Sequence, residues 1–78
     1  MIDDNELAGC IRRAMEEYFR HLDGENPTAV YNMVIGHVEK PLLEFVLNHV
    51  QGNQTQASEI LGLHRNTLRK KIKDHGIK

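Results

Sequence analysis

GNQTQASEILGLHRNTLRKKIK, residues 52–73, reads as two short helices joined by a tight turn, the second of them strongly basic. Gly52 suits the end of a preceding helix, because a helix commonly closes on a residue at positive φ. Asn53 is placed as an N-cap, and Gln56 three residues on forms a capping-box-like pair with it. Ala57, Ile60 and Leu61 fall on one face at helical spacing. Gly62 breaks this helix at a sharp turn, where a left-handed backbone costs glycine little, and Leu63 is the expected turn anchor. Arg65 to Lys73 then forms a second helix with Leu68 and Ile72 as its inward stripe. Arg65, Arg69, Lys70, Lys71 and Lys73 occupy its other faces, with Asn66 and Thr67 near its start. The pattern is a helix-turn-helix, in which the second helix enters the DNA major groove and its first residues meet base edges. Arginines near the start of such a helix suit guanine O6 and N7, whereas lysines more often hold phosphates. A basic run alone is usually a solvated helix face; here the caps, small residues, turn glycine and basic second helix all agree on the DNA reading.

The charge distribution points the same way. The 78 residues carry a formal net charge of −1, but its parts oppose each other. Residues 1–52 hold four basic against nine acidic residues, and residues 53–78 hold six basic against two acidic. Such a split indicates nucleic-acid contact by the basic part, with the acidic part discouraging contact elsewhere. The length allows one domain, and a chain this short buries only about 60% of its unfolded surface. Without tryptophan, and with Tyr18, Phe19, Tyr31 and Phe45 as the only aromatic residues, its core must be mostly aliphatic or shared with a second subunit. No apolar run approaches the ~20 residues of a membrane span, and the acidic, polar opening lacks the form of a signal peptide. A cytoplasmic location is the expectation. Cys10 is the sole cysteine, so no intrachain disulfide can form, and it reads as a small apolar residue of the first helix.

Upstream, residues 1–5 read as short and frayed. Leu7, Cys10, Ile11, Ala14, Met15, Tyr18, Phe19 and Leu22 step by threes and fours, predicting an amphipathic helix over about 6–22 that Asp23-Gly24 stops. Asp3, Asp4 and Glu6 suit the positive end of that helix. Asn26-Pro27 is a cap and first-turn pair that opens a second helix. Its apolar positions run from Val30 to Val50 and are interrupted by Pro41. Because the stripe passes from Val34 and Val38 to Leu42, Phe45 and Val46 in register, one kinked helix is favoured over a break. Its ~24 residues would reach roughly 36 Å, longer than the ~30 Å width of so small a domain. Two copies crossing their first two helices into a four-helix core would cover both stripes, where a lone bundle would leave them open. Gly36 within the helix suggests close packing there.

Catalytic and metal chemistry find no foothold. His21, His37, His49, His64 and His75 include no pair three or four apart, and one thiol excludes a zinc cysteine set. There is no GxxxxGK[ST] motif, and Ser58, the only serine, reads as a packing residue. No enzyme activity, cofactor, metal or small-molecule substrate is expected.

The same residues carry a family likeness. GNQTQASEILGLHRNTLRKKIKDHGIK, with YFRHLDG and EKPLLEFVLNHVQGNQTQA upstream in the same order, resembles the Fis family, the factor for inversion stimulation, over about residues 11–78. Its last part is similar also to the DNA-binding domains of NtrC-type activators. The resemblance implies an all-α fold of four helices per chain, an intertwined homodimer with a four-helix core, and two C-terminal helix-turn-helix units. It divides the single domain 1–78 into dimerisation helices over 6–50 and a helix-turn-helix over 53–74. It further implies a nucleoid-associated protein that binds loosely defined sites on double-stranded DNA, bends them, and regulates transcription and recombination. Matching positions nominate Asn53, Thr55, Arg65, Asn66, Thr67, Arg69, Lys70 and Lys73 as DNA contacts. Arg65 and Arg69 would read bases; Asn53, Thr55, Thr67 and Lys70 would chiefly hold phosphates. His64 stands where close relatives commonly have a capping asparagine, and because histidine caps weakly a less rigid turn is expected; Gln51, Gln56 and Asp74 stand where a close relative carries arginine or lysine, which implies a weaker flanking grip. Few residues precede the first helix, so the expectation is DNA binding without stimulation of invertases. The competing readings are an output domain of an NtrC-type activator and, from another class, a helical adaptor that binds protein.

Overall fold

A computed structural model describes residues 4–78, which form four α-helices with no strand among the described residues. They are α1 (Asp4–Arg20), α2 (Val30–His49), α3 (Gln54–Leu61) and α4 (Arg65–Asp74). The all-α, four-helix expectation is met. Expectations for residues 1–3, Asp3 included, lie outside the described residues.

The chain divides into a unit up to Val30 and a second unit, Tyr31–Lys78. In the first, α1 starts at Asp4, within the stretch expected to fray, and ends at Arg20, two residues short of the expected Leu22; Asp23 and Gly24 beyond it take positive φ, 53° and 87°. The Glu17 carbonyl accepts the His21 backbone N–H at 3.2 Å and also bonds the His21 ring at Nδ1, 2.8 Å away. On this helix Leu7 and Phe19 are half exposed, and Tyr18 and Phe19 meet edge to face with ring centroids 5.8 Å apart.

The second helix corrects one boundary. Asn26-Pro27 does not open it; residues 25–28 are irregular, Ala29 sits at φ 53°, and the helix starts at Val30. The left-handed residue interposed after Pro27 prevents the first helical turn from forming there. The helix runs unbroken through Pro41, in keeping with the continuous apolar register. Its 20 residues span about 30 Å, less than the length expected from sequence.

Leu43, Val46 and Leu47 of α2 are buried together with Ala57 of α3 and Leu68 of α4, and Val50, Leu61, Leu63, Ile72 and Ile77 pack around them. Three helix ends fold the chain back onto this cluster by one device. After α2, Gly52 N–H donates to the Leu47 carbonyl at 2.8 Å and Gln51 N–H to that of Asn48 at 3.1 Å. After α3, Leu63 N–H donates to the Ser58 carbonyl at 3.0 Å. After α4, Ile77 N–H reaches the Ile72 carbonyl at 3.0 Å and Gly76 N–H that of Lys73 at 3.1 Å. These are Schellman-type closures, whose penultimate residue must be left-handed. Gly62 and Gly76 fill that position at φ 72° and 65°, but after α2 it is Gln51, at φ 55°, that turns left-handed one residue before Gly52. Ala57 and Leu61 face the core as expected, but Ile60 does not, being 57% exposed.

Gly62→Ala should cost roughly 1–2 kcal/mol, the penalty for an L side chain in left-handed backbone. Gln51→Gly should raise the melting temperature by removing that penalty. Thermal unfolding of both variants checks this; a destabilised Gln51→Gly would mean that the Gln51 side chain contributes more than its backbone costs.

Candidate nucleic-acid interface

The turn between α3 and α4 is built from side chains that cap each helix. Asn53 Oδ1 accepts the Gln56 backbone N–H at 3.1 Å, so the first half of the expected capping box is formed. The second half is not, because the Asn53 N–H donates instead to the Val50 carbonyl at 3.1 Å. Ser58 is buried and its hydroxyl donates to the Thr55 carbonyl at 2.8 Å, the packing role read from sequence. His64 caps α4: its Nδ1 accepts the Asn66 N–H at 3.1 Å. A ring nitrogen that accepts cannot carry the proton, so Nε2 is the protonated nitrogen of a neutral imidazole here. Histidine thus fills the capping position, and it leaves an N–H donor on its far edge.

All eight nominated residues, Asn53, Thr55, Arg65, Asn66, Thr67, Arg69, Lys70 and Lys73, are exposed. They belong to the start of α3 and to α4 from its first turn to its last. Neither helix has an acidic residue in its first turn, so no carboxylate competes for the positive N-terminal end of α4. With Leu68 fully buried, Arg65, Arg69, Lys70 and Lys73 extend from the sides of α4 that the core does not use.

Lys71 departs from the sequence reading, which grouped it with the outward cations. Its Nζ lies 2.9 Å from Glu39 Oε2, and His75 Nε2 lies 2.8 Å from Glu39 Oε1. Both oxygens of one α2 carboxylate are therefore engaged by α4. The hydrogen bond from Lys71, then that from His75, holds the Glu39 carboxyl below the ordinary carboxylate range, outweighing the opposite effect of its burial. Sequence reasoning missed this group. The available signal was an acid four residues before Leu43, on the side of α2 that carries the buried residues.

Two short helices around a glycine turn, the second cationic and seated on a buried leucine, define the helix-turn-helix class. A family model described as "Bacterial regulatory protein, Fis family" matches residues 35–75. The chain is 56% identical over 71 residues to a Fis-like protein of Pseudomonas aeruginosa, covering 91% of this chain and 68% of that one. It is 49% identical over 73 residues to a Fis-like protein of Ralstonia nicotianae, covering 94% and 95%. It is 43% identical over 74 residues to the DNA-binding protein Fis of Glaesserella parasuis, covering 95% and 76%. The chain belongs to the Fis family of bacterial regulatory proteins, which are not enzymes. Among the described residues no helix is long and apolar enough to cross a membrane.

Because Glu39 is depressed in the folded chain, its contribution to stability is whole above the ordinary carboxylate range and is lost as pH falls through the depressed value. Wild type should therefore exceed Glu39→Gln in urea midpoint near neutral pH, and the gap should close in acid. A gap independent of pH would contradict the assignment.

Proposed function

We propose that this protein is a homodimeric, sequence-tolerant DNA-binding protein that bends the duplex and acts at the nucleoid in regulating transcription and, at some sites, recombination. The observation that carries the reading is the exposed cationic α4 presented on a glycine-turned pair of helices. In this reading Arg65 and Arg69 meet base edges, and Asn66 in the first turn of α4 is a further DNA contact. Asn53, Thr55, Thr67, Lys70 and Lys73 hold phosphates, and the positive end of α4 adds to the grip.

Pairing is supported by α2. Tyr31, Ile35, Val38, Leu42 and Phe45 follow one another in steps of four, three, four and three, the spacing of a coiled-coil seam, and are 39–74% exposed. A second copy of the chain covers such a self-similar stripe in an isologous contact. Close packing by that copy would also give Gly36 a purpose, since a Cβ there meets nothing within 4 Å. In this reading residues 6–50 pair and residues 53–74 read DNA. Paired reading helices less than ~34 Å apart require the duplex to bend. Likeness through α1 and α2 as well as the C-terminal helices favours this reading over an NtrC-type output domain, whose similarity is confined to the latter.

With Lys71 held by Glu39, four α4 cations per chain remain, so log K should fall with log salt no more steeply than about −7 for a pair. Arg65→Ala should cost on the order of 1–3 kcal/mol of base preference, while Lys70→Ala should weaken all sequences alike. Fluorescence anisotropy on labelled duplexes across a salt series measures both. Affinity that ignores salt and both substitutions would favour a helical adaptor that binds protein.

A further inference from the structure

We propose that Glu39 is a positioning residue for DNA reading: it fixes the roll of α4 against α2 and withholds Lys71 from the phosphate backbone. The inference rests on the DNA-binding reading above and adds a residue outside the helix-turn-helix to it.

Lys71 and His75 stand one turn apart on the same side of α4, and each takes one oxygen of the same carboxylate. Their side chains are 31% and 18% exposed, and that of Glu39 22%. The other hold on α4 is apolar. Leu68 is fully buried and Ile72 packs beside it. Such contacts are non-directional, so they resist withdrawal of the helix better than rotation about its axis. Two hydrogen bonds to one carboxylate, separated by a turn, are directional and oppose that rotation. A partly exposed ion pair adds only modestly to stability; the larger consequence of this one is orientation. Rotation of α4 would displace Arg65 and Arg69 together, because both are rigidly phased to Lys71 by the helix.

The second consequence concerns charge. Paired with Glu39 at 2.9 Å, Lys71 releases no counterion on binding. Its cation is held in reserve while Arg65, Arg69, Lys70 and Lys73 meet the duplex.

The test compares wild type, Glu39→Gln, Lys71→Met and the double variant on two duplexes, one selected by wild type from a random pool and one shuffled to the same composition. Glu39→Gln frees Lys71. It should steepen the salt dependence by about one per chain, tighten binding to the shuffled duplex, and reduce the preference for the selected one several-fold. Lys71→Met should reduce that preference with the salt slope unchanged, and the double variant should return the slope to wild type. A purely structural role would lower the melting temperature without moving the slope. A slope made shallower by Lys71→Met would show Lys71 on a phosphate and overturn the proposal. So would unchanged slope and preference in both single variants. Failure of wild type to bind either duplex would instead overturn the DNA-binding reading, and this inference with it.

Discussion

One side of α2 is spent on its own chain, and the rest of the structure depends on that contact. Leu43, Val46 and Leu47 lie under Ala57 and Leu68, so the helix carrying Arg65 and Arg69 is seated on a core of five buried apolar residues, with Glu39 bonded to Lys71 and His75 beside it. At roughly 1.5–3 kcal/mol for each fully buried large side chain, such a core is thin against the entropy of ordering nearly fifty residues. Units of this size usually need a disulfide, a metal or a partner. The lone Cys10 is exposed, and the described residues offer no metal-binding cluster. In the proposed pairing that support comes from a second copy, set against the exposed Tyr31, Ile35, Val38, Leu42 and Phe45 on the opposite side of α2.

Two-sidedness also explains why the sequence was legible in part. Gly62, Asn53 and the spacing of Leu68 and Ile72 are local signals, and each fixed its turn, cap or inward face correctly. The stripe through α2 was read as one band because both of its faces are apolar, and Phe45 and Val46 were joined although only Val46 is buried. Ile60 differs for a related reason: three residues after buried Ala57, it fits the inward period yet is exposed. The start of α2 was misjudged because Asn26-Pro27 is a strong cap signal by itself, whereas the left-handed Ala29 that overrides it has no local signature.

The Glu39 contact was hidden by distance along the chain. It joins residues 32 and 36 positions apart, so no window of helical length contains both partners. Once formed, it alters the meaning of the basic run. A count of charges on α4 gives five equivalent cations, but the fold makes one of them internal and leaves four outward. Arg65, Arg69, Lys70 and Lys73 are exposed because a short helix that buries Leu68 leaves its polar residues the other sides. Capping by His64 could be placed from its position, but its tautomer follows only from the bond that Nδ1 accepts.

In the proposed assembly α2 buries one face in its own chain and the other against a second copy. Sedimentation equilibrium of the wild-type chain at micromolar concentration measures this directly. The account predicts a single species of twice the 9.0 kDa chain mass. A folded, concentration-independent species at the chain mass would contradict it.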